Sequence, residues 1–270
     1  MTDTPAASAP HGDDPHDHTG HDHPPTGADL VRDLVKGLSI QALLIPVMAV
    51  VLLLAILPFA PLTPVPLLLG IGLGAAHLIL LVGTSLFVAR TRTQLAVNPG
   101  LLAVRSVVEE LLRVAAVLLA ILLWPADIRP ELGVWVGAGC ALVWLILATA
   151  QTISTRQRIA RPGEWSEEAI STMLAHRVGA RSTVLMRLLD VAGTAMFQVG
   201  ATVLVILAPV LAIGTIVLSI GVGLSTLVLH RRPPAERSRS AWAYAPFGLG
   251  LLTLALAAFA DALYHQFFRD

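Results

Sequence analysis

The chain has 270 residues, of which 55% are apolar and only 13% are charged. An ordinary soluble domain is about 45–50% apolar and about 25% charged. The apolar residues are gathered in runs of about 20, the length that an α-helix needs to cross a hydrocarbon core of about 30 Å. This composition excludes a soluble enzyme and a β-barrel porin, and the single cysteine, Cys140, excludes an internal disulfide scaffold.

The amino-terminal segment differs sharply from the rest of the chain. Residues 1–30 contain no Lys or Arg, but they contain five histidines and six aspartates. Such a segment buries too little apolar surface to offset its ordering entropy, so we predict a disordered acidic tail over 1–37. Imidazole nitrogens and carboxylate oxygens suit Zn²⁺ or Ni²⁺. The tail is therefore predicted to act as a metal buffer or sensor through His11, His16, His18, His21 and His23.

Seven apolar runs follow the tail and predict an all-α polytopic membrane protein with seven transmembrane helices. Helices 1–4 are predicted within 38–153, a cytoplasmic loop covers 154–186, and helices 5–7 lie within 187–266. The predicted spans are 39–60, 66–89, 103–125, 132–152, 187–207, 209–229 and 243–264.

The positive charges of the short loops predict how the chain is threaded. Fifteen of the 18 Lys and Arg residues fall before span 1, or in and directly beside the links between spans 2 and 3, 4 and 5, and 6 and 7. Since cytoplasmic loops carry the excess of Lys and Arg, the amino terminus is predicted inside and the carboxyl terminus outside. Aromatic residues at the predicted span ends are expected to anchor at the headgroup level: Trp124, Trp135, Trp242, Tyr244 and Tyr264.

One segment of the long cytoplasmic loop has a helical pattern of its own. In 165–179, Ser166 is placed to cap a helix, and Ile170, Met173, Leu174 and Val178 form one apolar stripe. The pattern predicts an amphipathic helix on the inner leaflet of the lipid bilayer. Docking onto another membrane or cytoplasmic protein is the alternative.

Span 3 carries the most charge of any predicted span. Arg105, Glu109, Glu110 and Arg113 follow each other at i, i+4, i+5 and i+8. This spacing lets both arginines pair with Glu109, and lets Glu110 reach Arg113 at i+3. Mutual neutralisation, which lowers the cost of insertion, is one interpretation of the quartet. The other is a buried carboxylate that serves an ion or proton path.

Further polar residues lie inside or at the ends of other spans. Counting 1.5 Å per residue places His77, Arg113 and Gln198 at one depth, where they are candidates to line a common cavity. Asp190 is spaced to pair with Arg187 near the inner end of span 5. Asp261 and His265 share one face at the outer end of span 7, as a candidate metal-holding or proton-passing pair.

The sequence EELLR (109–113) is similar to the EExxR motif of glutamate-type intramembrane proteases. That resemblance implies hydrolysis within the membrane by Glu109 or Glu110, together with histidines on later helices. Here the later histidines are His176 in a loop, His230 at a span end and His265 at an interface.

Small residues recur four apart and predict close helix packing. The pairs are Gly70 with Gly74, Gly137 with Ala141, Ser219 with Gly223, and Gly221 with Ser225.

Transport or handling of a cation is the function that the sequence favours, with a divalent metal among the candidates because of the tail. A non-catalytic membrane scaffold is the first alternative and the intramembrane protease is the second. Nucleic-acid binding is not expected, because membrane topology explains the arginines. Seventeen arginines against one lysine, with heavy Ala and Leu usage, indicate a GC-rich genome and a bacterial cytoplasmic membrane.

Overall fold

The structure is a computed structural model that describes residues 27–91, 98–124, 129–161, 163, 167–168, 170–171, 180–237 and 239–268. Within these ranges the protein is helical and contains no strand. The short segments are a helix at Pro234–Arg237 and 3₁₀ turns at Pro209–Leu211 and Ala241–Ala243. The seven long helices are α1 (Gly27–Ile56), α2 (Pro64–Thr91), α3 (Pro99–Leu123), α4 (Arg129–Ala160), α5 (Ala180–Leu207), α6 (Ala212–His230) and α7 (Ala245–Phe268).

Six of these helices are long and apolar enough to cross a membrane, namely α1, α2, α4, α5, α6 with the turn before it, and α7. The remaining helix, α3, has 25 residues and carries the charged quartet at 105–113. It begins at a local signal, since the Asn98 side chain accepts a hydrogen bond from the Gly100 amide at 2.8 Å and Pro99 opens the first turn. The membrane span predicted for α3 stays a prediction.

The first helix begins earlier than the sequence indicated. The predicted disordered tail extends to residue 37, but α1 starts at Gly27. Leu30 and Leu34 lie one helical turn apart on a buried face, and Ile170 of the loop packs against them. This contact buries the apolar side chains of the first helical turns. Sequence composition alone does not reveal it, because Ile170 is distant in the chain. Most of the predicted amphipathic helix at 165–179 lies outside the described residues, as does the tail before Gly27.

The two central helices of the bundle are α4 and α5, whose membrane-length windows are 61% and 72% buried. They pack against each other and against α1. Helix α2 covers the other side of α4, and α7 covers α5. Helices α3 and α6 pack together and close the remaining side, with α3 also contacting α2, α4 and α5.

Close helix contacts confirm part of the small-residue pattern. A methyl group added at Gly70 of α2 would overlap the backbone carbonyl of Val136, and one at Gly137 of α4 would lie 2.6 Å from the Val199 Cα. At Gly74 it would lie 2.8 Å from the Val143 Cβ. Glycine lets these backbones approach where any side chain would separate them.

The helices alternate in direction, so most of the arginines meet at one end of the bundle. Gln41, midway along α1, donates to the Val184 carbonyl near the start of α5 at 2.8 Å. Arg187 of α5 donates to Gln151 near the end of α4 at 2.7 Å. We call this the arginine-rich end. The described Lys and Arg residues that it gathers are Arg32, Lys36, Arg105, Arg156, Arg158, Arg161, Arg187, Arg231, Arg232, Arg237 and Arg239.

We predict that the arginine-rich end faces the cytoplasm. In a Cys140→Ala background, single cysteines at Gln157 and Glu236 should resist a membrane-impermeant maleimide applied to intact cells. A cysteine at Leu62, which is exposed in the turn between α1 and α2, should react. Labelling of all three after the cells are opened is the control. Reaction at Gln157 and Glu236 in intact cells, with protection at Leu62, would reverse the orientation.

Candidate functional site

A buried ion pair lies at the centre of the bundle. On α3, the Arg113 Nε donates to the Glu110 Oε2 at 3.0 Å, and each side chain is only 1% exposed. Placing two charges in a low-dielectric interior costs several kcal/mol per ion unless further hydrogen bonds satisfy them. The sequence allowed Arg113 to pair with either glutamate. In the structure it pairs with Glu110, while Arg105 donates to Glu109 at 2.7 Å.

The remaining donors of Arg113 are satisfied by α5. Its Nη2 donates to the Gln198 Oε1 at 2.8 Å, and its Nη1 donates to the Thr202 Oγ1 at 2.7 Å and to the Gln198 carbonyl at 3.2 Å. The guanidinium also lies 5.7 Å from the ring centroid of Phe197, within cation–π distance. Arg113 therefore holds α3 to α5 through charge-assisted hydrogen bonds.

The partner carboxylate, Glu110, is less completely satisfied. Its Oε2 accepts a second hydrogen bond from the Thr215 hydroxyl of α6 at 2.7 Å. Its Oε1 is buried and has no hydrogen-bond partner in the described part of the chain. A buried acceptor with no donor is costly, so this oxygen is the unsatisfied point of the cluster.

Two more helices reach the cluster through His77 and Cys140. The Cys140 thiol of α4 lies 3.3 Å from the Gln198 Oε1 and 3.8 Å from the His77 Nδ1 of α2. The His77 Nε2 lies 3.0 Å from the backbone carbonyl of Glu109. The structure thus brings together the three residues that were counted to the same depth, His77, Arg113 and Gln198, with Cys140 between His77 and Gln198.

A cavity of about 640 Å³ lies between this buried polar cluster and the arginine-rich end. Gln198 lines its deep part. Nearer the arginine-rich end, Arg105, Arg187 and Asp190 line it with side chains that are 31%, 39% and 42% exposed. Exposure thus falls from the end of the bundle to the ion pair at its centre.

The bundle is closed on the other side of the ion pair. One helical turn beyond Arg113, Val117 packs with Leu132, Val205 and Ile206 in an apolar cluster whose four members are at most 1% exposed. This apolar cluster separates the buried polar residues from the end opposite the arginines.

Two other predicted pairs are present in the structure. Arg187 donates to Asp190 at 3.1 Å, and this pair lines the cavity. Asp261 Oδ1 lies 3.5 Å from His265 Nε2 near the end of α7, away from the cavity. The five tail histidines lie outside the described residues. Among the described residues no group of three His, Cys, Asp or Glu side chains is arranged to hold a metal ion.

The sequence did not single out Thr202, Thr215 or Gln151, and it treated Cys140 only as an unpaired cysteine. Thr and Cys are common in apolar helices, so their presence alone does not indicate a site. Spacing could have found Thr202, because it is four residues from Gln198 and therefore lies on the same face of α5.

Comparison with protein-family models, curated proteins and solved structures finds no significant match to this chain. The fold itself, with six helices of membrane-crossing length and composition, is compatible with an integral α-helical membrane protein.

Proposed function

We propose that the protein is a transporter of the bacterial cytoplasmic membrane that moves a cation, that this cation is a proton, and that Glu110 carries it. The observation behind the proposal is a cavity lined by Gln198, which binds Arg113, and Arg113 in turn pairs with a buried carboxylate that has one unsatisfied oxygen. Ionisable residues buried in membrane helices are expensive to keep and commonly mark ion or proton paths.

The proposed step is protonation of Glu110 at Oε1. The ionised carboxylate holds Arg113 through Oε2, and Thr215 donates to the same oxygen. A proton on Oε1 would neutralise Glu110 and weaken its attraction for Arg113, which would keep Gln198 and Thr202 as partners. Since these contacts join α3 to α5 and α6, protonation would change how tightly the three helices pack. Such a two-state contact is what alternating access requires.

The apolar cluster around Val117 supports the same proposal. A transporter that exposes its path to one side must close it to the other, and water is excluded where side chains of this kind are fully packed. The cavity at the arginine-rich end and the closed apolar half together correspond to an inward-open conformation if that end is cytoplasmic.

We expect the Glu110→Gln/Arg113→Met double variant to fold and to lose proton movement. The full chain is reconstituted in liposomes that contain a pH-sensitive dye, and a potassium gradient with valinomycin supplies the driving force. The wild-type protein should acidify the lumen faster than empty liposomes, and the double variant should not exceed them. Glu110→Asp keeps a carboxylate and should retain part of the flux.

Glu131→Gln is the matched control, because Glu131 lies in the first turn of α4 at the opposite end from the cavity. It should behave as the wild type. A wild-type rate no higher than that of empty liposomes would contradict the proposal, and so would a folded double variant with wild-type flux.

The described geometry gives no support to the protease resemblance, because in the described part of the chain no histidine hydrogen-bonds to the carboxylate of Glu109 or Glu110. The metal-buffering role of the tail and the docking role of 165–179 stay predictions from sequence.

A further inference from the structure

Two ion pairs and the His230 imidazole line the cavity. Arg105 pairs with Glu109 at 2.7 Å, and Arg187 pairs with Asp190 at 3.1 Å. The lining charge of these four groups therefore sums to zero. A ligand with a net charge would leave one charge in this partly buried cavity without a counterpart, and an unpaired charge costs more there than in water.

Each pair still has hydrogen-bonding capacity left over. In the part of the chain that the structure describes, Arg105 uses only its Nε, and Glu109 uses only its Oε1 among its side-chain atoms. Asp190 likewise uses only Oδ2, toward Arg187. The cavity thus presents the two terminal nitrogens of Arg105 as donors, and one oxygen each of Glu109 and Asp190 as acceptors.

The rest of the wall is largely apolar and includes Leu81, Leu102, Leu145, Phe197 and Leu227. A volume of about 640 Å³ lies within the range of about 300–1,000 Å³ that is typical of small-molecule sites, where apolar walls carry a few placed polar groups.

We propose that this cavity binds a small zwitterion with an apolar body. Its anionic group would lie at Arg105 and its cationic group between Glu109 and Asp190. This proposal adds a class of solute to the proposed function. It rests on that function only where it assumes that the bound zwitterion is also transported. Free amino acids with apolar side chains and zwitterionic lipid headgroups share this chemistry.

The test is direct binding to the purified full chain in a nonionic detergent, measured by calorimetry and by the shift in unfolding temperature. The probes are L-phenylalanine, 3-phenylpropanoate, which lacks the ammonium group, and 2-phenylethylamine, which lacks the carboxylate. We expect phenylalanine to bind, and each analogue to bind about tenfold more weakly or worse because one charged contact is lost.

Dihexanoyl phosphatidylethanolamine tests the lipid headgroup as the source of the zwitterion. If it binds more tightly than phenylalanine, the site is assigned to a lipid headgroup.

Two variants locate the site within the chain. Arg105→Gln should weaken phenylalanine binding about tenfold and remove the preference over 2-phenylethylamine, since the carboxylate contact is gone. Asp190→Asn should remove the preference over 3-phenylpropanoate, and it should fold because Arg187 keeps Gln151 as an acceptor. Arg156→Gln, an exposed arginine at the same end that does not line the cavity, should bind as the wild type.

Equal binding of phenylalanine and either analogue would overturn the inference, and so would the absence of binding by both zwitterions. Neither result touches the proton measurement, which depends on Glu110. Conversely, zwitterion binding without proton movement would overturn the proposed function and leave the binding site in place.

Discussion

Replacing Arg113 by methionine should lower the free energy of unfolding by about 3–5 kcal/mol, because removal of one partner strands a buried charge. Glu110 would keep the Thr215 hydroxyl as its only described side-chain partner. The matched control is Arg105→Met on the same helix, whose side chain is 31% exposed and whose pair with Glu109 is partly solvated. This pair is less buried than the Glu110–Arg113 pair, although Glu109 is only 15% exposed, so the control should lose less stability than Arg113→Met does.

The Glu110→Gln/Arg113→Met double variant should recover much of the loss. The groups that Arg113 contacts keep other partners, since the Thr202 hydroxyl also donates to the Gln198 carbonyl and the Cys140 thiol also contacts the Gln198 Oε1. No charge and few unpaired polar atoms would remain. Unfolding of the purified variants in detergent, followed by circular dichroism, measures all three. A double variant less stable than Arg113→Met would show that the two charges are not coupled.

The helices were predictable because the signals that define them are local. Runs of about 20 apolar residues, prolines in the turns and the distribution of arginine each depend on a short stretch of chain. Each of the seven long helices lies over one predicted span. Their ends were less predictable, as at Gly27, because the burial of Leu30 and Leu34 depends on Ile170 far along the chain.

The candidate site was predictable in part for a related reason. Depth along a helix follows from residue counting, which predicts one level for His77, Arg113 and Gln198. In the structure Arg113 bonds to Gln198, and Cys140 lies between Gln198 and His77. The direction in which each side chain points around its helix axis depends on packing with several neighbouring helices, and residue counting does not give that direction. For that reason the choice of Glu110 over Glu109 as the partner of Arg113 emerged only from the structure.

Trp135 illustrates how residue type can mislead. Tryptophan near a span end is typical of a headgroup anchor, and Trp124 and Trp242 are indeed 38% and 45% exposed. Trp135 is 1% exposed, because its indole Nε1 donates to the Pro61 carbonyl at 2.8 Å and its rings pack against Ile56 and Ala60. Its ring therefore lies inside the bundle, beside the turn between α1 and α2, and not on the surface. An amphipathic indole ring fits both the membrane surface and a buried site with one hydrogen-bond acceptor. For Trp135, the Pro61 carbonyl of the neighbouring turn supplies that acceptor.

Gly70→Ala and Gly72→Ala should change stability in opposite directions although they lie two residues apart on α2. A methyl group at Gly70 would overlap the Val136 carbonyl, and backbone cannot move aside without separating α2 from α4. Overpacking of this kind costs about 1–3 kcal/mol. A methyl group at Gly72 meets nothing within 4 Å, so alanine there should gain about 0.5–1 kcal/mol from reduced chain entropy.

The measurement is the unfolding temperature of each purified variant in the same detergent, with the wild type alongside. The two substitutions add the same methyl group to the same helix, so any difference between them reports the local contact with α4. Gly139 offers an independent check, because a methyl group there would meet the Leu67 carbonyl from the α4 side of the same interface. Gly139→Ala should therefore resemble Gly70→Ala. If Gly70→Ala and Gly139→Ala unfold at the same temperature as Gly72→Ala, α2 and α4 are not in backbone contact, and the packing of the central bundle described above is wrong at this interface.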